Sequence, residues 1–185
     1  MYKIVEYTHK LINDYFNQLN NKEIICCDAT CGNGNDTLFI ANLLQDNGYV
    51  DAYDIQEIAI NNTKKLLDDN NINNVNLYRE SHENINPSKY NLILFNLGYL
   101  PKGDKNIHTT AFITIPIVTK ILKTMETKKD LMLIIAVYPG HEEGKIESDK
   151  LLNLVSDLDS SIYYVATYNI INQHNCPYVI SINHK

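Results

Sequence analysis

The sequence predicts an open α/β sheet of seven strands, mostly parallel, with helices on both faces and an antiparallel hairpin closing its C-terminal edge. Three observations lead there. The apolar run Ile24-Ile25-Cys26-Cys27 passes through Asp28-Ala29-Thr30-Cys31-Gly32-Asn33-Gly34-Asn35-Asp36 into Thr37-Leu38-Phe39-Ile40-Ala41, giving a strand, a glycine turn and a helix. Strand and helix patterns then alternate along the chain, which demands crossover connections and hence parallel pairing. Finally, the segments 162–169 and 177–183 both read as strands with no helical stretch between them, so they pair antiparallel at one edge.

Each element follows from local pattern. Ile4, Leu11, Ile12, Tyr15, Phe16 and Leu19 recur at helical spacing and predict an amphipathic helix over 4–19. Strand 23–28, helix 36–46, strand 49–54, helix 57–70, strand 75–79 and strand 91–96 come next. A helix over 110–126, entered through a threonine cap at Thr109-Thr110, precedes Leu131-Met132-Leu133-Ile134-Ile135-Ala136-Val137. That run lacks alternation, as expected of a central strand covered on both faces. A helix over 144–158 follows, with Gly140 and Gly144 in the loop before it. There is no internal repeat, low-complexity tail or Pro/Gly linker, so the 185 residues read as one domain over 1–185. By analogy of fold, this order is the Rossmann-like, seven-stranded sheet of the class I methyltransferases.

Composition narrows the function classes. A formal charge of -6 argues against a large basic nucleic-acid footprint, while leaving room for a local patch or one assembled across a dimer. Cys26, Cys27, Cys31 and Cys176 do not form a disulfide framework and read as free thiols of a reducing cytosol, so a cytoplasmic location is expected. No signal-like or membrane-spanning run is present in the sequence. Metal is not expected: His141-Glu142-Glu143 lacks the second histidine of a zinc helix, and the cysteines lack four-ligand spacing. Neither a nucleophile elbow nor a catalytic carboxylate pair can be placed.

The glycine turn opens a cofactor crevice. It has two glycines, lacks the Gly-Lys-Ser/Thr ending of a phosphate loop, and carries Asp28 at its entrance, where a pyrophosphate would be repelled. Asp54 ends the next strand about twenty residues after the last glycine, where a carboxylate takes ribose hydroxyls. A cofactor with a ribose, no phosphate and an ammonium fits, and S-adenosylmethionine has all three. Helix entry alone also explains Gly32 and Gly34, and the pairing with Asp54 is what lifts the reading above that bland one.

Other polar residues collect at the predicted carboxyl ends of the strands: Ser81-His82-Glu83-Asn84, Asn96 and Pro139-Gly140-His141. Each could equally be a loop or helix cap. The sharpest signal is Leu92-Ile93-Leu94-Phe95-Asn96-Leu97-Gly98-Tyr99-Leu100-Pro101. A buried strand delivers Asn96 to the crevice floor, Gly98 allows close backbone approach, and Tyr99 can stack on a planar group. The Asn96 amide oxygen and the Leu97 carbonyl can accept from an amine and aim its lone pair at a sulfonium methyl. Asp104 is a candidate to neutralise that amine, with Lys102 and Lys105 as phosphate contacts. His141 could face the acceptor. Asn172, Gln173, His174 and Asn175 form a further polar rim able to read a base edge or simply to make a turn.

With these residues in hand, the chain resembles the small bacterial proteins formerly labelled rRNA methylases and now understood as wobble-uridine tRNA methyltransferases of the MnmM type. The segments that carry the resemblance are 28–37, Asp54-Ile55-Gln56, Ser81-His82-Glu83-Asn84, 95–101, Gly103-Asp104-Lys105 and Tyr138-Pro139-Gly140-His141. Lys102 stands where the family often has glycine. The resemblance implies methyl transfer from S-adenosylmethionine, leaving S-adenosylhomocysteine, to the amine of 5-aminomethyl-(2-thio)uridine in the anticodon stem-loop. It implies that Asp28, Gly32, Asn33 and Gly34 hold the methionine part, with Thr30, Asn35, Asp36 and Thr37 also binding the cofactor. Asp54, Ile55 and Gln56 then hold the ribose, and Ser81, His82 and Glu83 flank the adenine. Asn96 serves both cofactor and acceptor, with Leu97, Gly98 and Tyr99 placing the uracil. A homodimer is also implied, which would gather basic loops around the RNA.

Two rival readings remain at this point. An N-methyltransferase acting on rRNA or on a small amine would share the same cofactor loop, and salt-dependent affinity separates RNA from a neutral metabolite. A non-catalytic protein that merely binds S-adenosylmethionine would leave the Asn96 and Tyr99 pair without use. A nicotinamide dehydrogenase lacks its third glycine.

Overall fold

Strand pairing in the computed structural model, which describes residues 2–19, 23–98 and 109–185, follows the predicted alternation. The elements in chain order are α1 (Ile4–Phe16), β1 (Ile24–Asp28), α2 (Asn35–Leu44), β2 (Gly48–Tyr53), α3 (Glu57–Asp69), β3 (Val75–Tyr78) and β4 (Leu92–Asn96). These are followed by α4 (Ala111–Met125), β5 (Met132–Val137), α5 (Glu142–Ser156), β6 (Tyr163–Tyr168) and β7 (Tyr178–His184). All seven strands join one sheet in the order β3-β2-β1-β4-β5-β7-β6. The first five are parallel, whereas β7 runs antiparallel to both β5 and β6. The chain builds outward from β1 in one direction and from β4 in the other, so the crevice at the carboxyl ends of these two neighbours is the switch point where such sheets bind ligands.

Side-chain alternation divides the core between the two faces. Cys26, Leu92, Leu94, Met132 and Ile134 pack with Ile12 of α1 and Ile40, Ala41 and Leu44 of α2. Cys27, Ile93, Phe95, Leu133 and Ile135 pack with Ile117, Val118 and Ile121 of α4 and Leu151 and Val155 of α5. Every one of these side chains is buried, and each large aliphatic among them contributes roughly 1.5–3 kcal/mol relative to exposure. Asp51 of β2 is a charge without exposure, matched by Lys89, by the Tyr90 hydroxyl at 2.9 Å and by the Asn76 amide at 2.9 Å. Among the described residues no helix is long and apolar enough to cross a membrane, and no group of three or more potential metal ligands comes together.

Two local expectations are corrected. Helix α5 begins at Glu142, two residues earlier than the glycine pattern suggests, because His141 caps it with Nδ1 accepting from the Gly144 N–H at 3.0 Å. Gly144 therefore lies in the first turn, where a Cβ would come within 2.2 Å of the Tyr138 carbonyl oxygen. Thr110 stands at the N-cap position of α4 but makes no side-chain capping bond, and the Thr109 hydroxyl is used elsewhere.

Candidate active site

The loop from β1 to α2 is shaped by α3 and by Asp54. Gly32 and Gly34 take φ of +53° and +83°, in the left-handed region that costs other residues about 1–2 kcal/mol. A Cβ on Gly34 would lie 2.9 Å from the Thr63 side chain, whose hydroxyl donates to the Gly32 carbonyl at 3.0 Å. Asp54, just past β2, accepts from the Gly32 N–H at 3.1 Å and from the Gln56 N–H at 2.9 Å. Partial burial pushes its carboxyl above the ordinary range, and these backbone donors oppose that rise. The carboxylate is thus fixed at the loop with lone pairs left for a vicinal diol.

Asp28 has a different task from the one its position suggested. It is fully buried, accepting from the Thr37 hydroxyl at 2.6 Å and from the Thr30 N–H at 3.3 Å. Burial first, and the nearby charge of Asp36 second, push its carboxyl up to about 7. A group half protonated near neutrality repels a pyrophosphate weakly, so the sequence argument from Asp28 loses force. The negative charge facing the crevice comes instead from Asp36 and Asp54.

A cavity of about 620 Å³ opens at these strand ends. Its floor includes Thr30, Cys31, Gly32 and Asn33, and one end is walled by Asp54, Ile55, Gln56, Glu80, Ser81 and His82. His82 is buried, edge-on to Phe95 at 5.3 Å between ring centroids. Burial lowers its pKa, keeping the imidazole neutral, and its Nε2 has no hydrogen-bond partner among the described residues. A flat, neutral imidazole in the cavity wall and a held carboxylate at the loop suit a purine and a ribose.

The other end is built by β4, β5 and α4. Asn96 closes β4, and its N–H donates to the Thr30 hydroxyl at 2.7 Å, which in turn donates to the Asn96 carbonyl at 3.1 Å. Its side-chain Nδ2 donates to Asp36 Oδ2 at 2.9 Å, leaving the amide oxygen as the acceptor. Asp36 Oδ1 lies 2.7 Å from His9 Nε2 of α1. Gly98 and Thr109 are tied twice, by Thr109 N–H to Gly98 O at 3.1 Å and by Gly98 N–H to Thr109 Oγ1 at 2.9 Å. Buried Glu147 of α5 accepts from Thr109 at 3.1 Å and Thr114 at 2.6 Å, fixing this stem to the helices beneath. Tyr138, the first residue past β5, completes the wall, its phenol pushed up by burial and by the charge of Asp36 while the Asn96 amide opposes the rise.

The structure brings most of the expected residues to one place. Thr30, Gly32, Asn33, Asn35, Asp36, Asp54, Ile55, Gln56, Ser81, His82, Asn96, Leu97 and Gly98 line the cavity. Asp28, Gly34 and Thr37 lie behind the loop and shape it from below. Glu83 is exposed outside the lining residues, its N–H capped by Ser81 Oγ at 3.4 Å. His141 caps α5, and Asn172 and Asn175 are exposed in the β6–β7 connection, so none of these three joins the cavity wall. Tyr99, Lys102, Asp104 and Lys105 lie outside the described residues. Sequence reasoning missed Val5, Ala29, Cys31, Glu80, Thr109, Thr110, Ile113 and Tyr138 as lining residues. Tyr138 was within reach of the strand-end rule, whereas Val5 of α1 has no local signal.

Comparison with known proteins places the chain. The family profile described as "Putative rRNA methylase" matches residues 50–184. A Clostridium thermocellum protein of the same description is 34% identical, with the alignment covering 100% of this chain and 99% of that one at a TM-score of 0.85. A Streptococcus mutans protein described as a methyltransferase and solved in complex with SAH is 33% identical, covering 100% and 99% at a TM-score of 0.80. A chloroplastic tRNA (mnm(5)s(2)U34)-methyltransferase of Arabidopsis thaliana is 32% identical over 169 residues, 83% of this chain, and the chain spans 60% of that relative's length. The cofactor is S-adenosylmethionine, as the SAH complex of the Streptococcus mutans relative indicates, and Asp54 and His82 line the cavity where a ribose and a purine fit. The chain belongs to the rRNA methylase family, a group of S-adenosylmethionine-dependent class I methyltransferases.

Proposed function

We propose that this protein methylates the primary amine of 5-aminomethyl-(2-thio)uridine at the wobble position of tRNA, giving 5-methylaminomethyl-(2-thio)uridine. The observation that carries the reading is Asn96. Its amide nitrogen is engaged by Asp36, so its oxygen and the adjoining Leu97 backbone offer acceptors at the end of β4, two strands away from Asp54 at the end of β2. Acceptors in that place suit an N–H-bearing nucleophile, not a hydroxyl that needs a strong base. The name of the Arabidopsis relative supports the wobble uridine as the substrate. Bound S-adenosylmethionine supplies an electrophilic methyl on sulfur, and the chain supplies orientation, desolvation and a destination for the proton. The proposal includes a single catalytic domain over 1–185, supported by one continuous sheet, and a cytoplasmic homodimer in which Lys102 and Lys105 of both subunits bring local positive charge to the anticodon stem-loop, although each chain carries a net charge of -6.

The test is incubation of the purified protein with S-adenosylmethionine and tRNA from cells blocked at the aminomethyl stage, followed by nucleoside mass spectrometry. A gain of one methylene mass on the aminomethyl nucleoside, dependent on the cofactor, is expected. Cofactor binding without that gain refutes the substrate. The family description favours rRNA as a second reading, and a parallel incubation with undermodified ribosomal RNA distinguishes the two.

A further inference from the structure

Asp36 stands at the meeting point of three elements. It lies in the first turn of α2, its side chain is 13% exposed, and it lines the cavity. Oδ2 accepts from Asn96 Nδ2 at the end of β4 and Oδ1 from His9 Nε2 of α1. The His9 ring is stacked flat on Phe39, with centroids 3.7 Å apart and an interplanar angle of 3°, a contact that supports its orientation toward the carboxylate. His9 itself is not among the lining residues. The arrangement presents one carboxylate, held by two donors, beside the group that orients the acceptor.

We propose that Asp36 is a catalytic residue that receives the acceptor as an ammonium and takes its proton, and that His9 is a positioning residue that holds Asp36 in place. This rests on the amine reading above. An aliphatic ammonium has no lone pair and cannot attack until it loses a proton, its pKa in water being about 10. Burial in the crevice weakens the hold on that proton, and a carboxylate in contact gives it somewhere to go. In the step, one N–H bond breaks and its proton moves to an Asp36 oxygen, while the electron pair stays on nitrogen. Nitrogen then bonds to the methyl carbon as the carbon–sulfur bond breaks and its pair goes to sulfur. The product leaves as a secondary ammonium, and Asp36 returns its proton to water. Two positive charges enter, on ammonium and sulfonium, and two leave, on the product and the released proton.

The other titratable groups facing Asp36 among the described residues are His9 from α1, Asp28 from β1 and Tyr138 beyond β5. Asp28 is sealed behind Thr37, and the Tyr138 phenol is raised and stays protonated near neutrality. Asp36 is therefore the carboxylate with access to the cavity at this end. Asp54 is engaged at the other end of the cavity by the Gly32 and Gln56 amides.

The experiment compares wild type, Asp36→Asn and His9→Ala by calorimetric titration with S-adenosylhomocysteine and S-adenosylmethionine and by turnover on aminomethyl-tRNA from pH 6 to 9. Asn is isosteric with Asp, and His9→Ala leaves the cavity wall untouched, so at least one variant reports if the other misfolds. Expected are cofactor affinities within about threefold of wild type and a loss of roughly 100-fold in kcat for Asp36→Asn at pH 7. That loss shrinks as pH rises and more free amine arrives. His9→Ala loses roughly tenfold with a profile between the two, and His9→Gln, which keeps a donor, recovers part of it. Parallel pH profiles for wild type and Asp36→Asn overturn the proposal. So does a loss confined to S-adenosylmethionine affinity with normal turnover at saturation, which would assign Asp36 to the methionine ammonium. Wild-type protein that binds S-adenosylhomocysteine but does not methylate this tRNA overturns the amine reading itself, and this proposal with it.

Discussion

Replacing Asp28 with Asn tests the electrostatics beneath the cofactor loop. In the folded protein the Asp28 carboxyl is pushed up to about 7 from an ordinary 3.8, so between those values the native state keeps a proton that the unfolded chain has released. The stability this provides is fully present below pH 3.8, falls as pH rises through the window, and is lost above about 7. A displacement of roughly three pKa units corresponds to at most about 4 kcal/mol. Asn keeps an oxygen for the Thr30 N–H and turns its NH2 toward the Thr37 hydroxyl oxygen, which can accept, but it has no proton to lose, so its contribution is flat with pH. Urea denaturation of both proteins between pH 5 and 8 reads this term, because carboxylates and histidines distant from Asp28 are shared and cancel in the difference, leaving Asp28 and its coupling to Asp36 and Asp54. Wild type should lose up to about 2.6 kcal/mol more than Asp28→Asn over that range and be the less stable of the two at pH 8. Parallel stability curves would refute the reasoning, since they would mean that Asp28 ionises in the fold as it does in water.

Two further outcomes are expected. Asp54→Ala removes the ribose carboxylate and frees the Gly32 and Gln56 N–H groups, so calorimetry should show S-adenosylhomocysteine binding at least about tenfold weaker; unchanged affinity contradicts the ribose assignment. Glu147→Ala leaves the Thr114 hydroxyl, buried beneath the acceptor stem, and the half-buried Thr109 hydroxyl without this acceptor, costing about 2–3 kcal/mol in urea denaturation. Because that stem bears on Gly98 and not on Asp54, kcat should fall more than cofactor affinity, and an equal fall in both would place Glu147 outside the acceptor wall.

The order of strands and helices was legible because hydrophobic period is a local property: four to eight residues suffice to tell Ile24–Asp28 from Ile4–Phe16. The crevice was legible for the same reason, since a glycine turn after one strand and Asp54 after the next are fixed by the geometry of a βαβ unit. Asn96 could be placed because a buried strand must end somewhere, and its first polar residue marks the edge. What the residues do to one another could not be read this way. Asp28 and Asp36 look alike in sequence, yet Thr37 and the loop seal one from water while the other faces the cavity, and only burial separates their charges. His141, next to a strand end, caps a helix because Gly144 allows the helix to start early against the Tyr138 carbonyl. His9, on a helix that periodicity marks only as amphipathic, reaches Asp36 across 27 positions because Ile12 anchors α1 over the sheet. Sequence by itself determined the elements, their order and the end of the sheet that binds. The choice of which carboxylate is buried, which is held and which faces the acceptor was made by packing between distant segments, where desolvation and a few hydrogen bonds outweigh anything local pattern records.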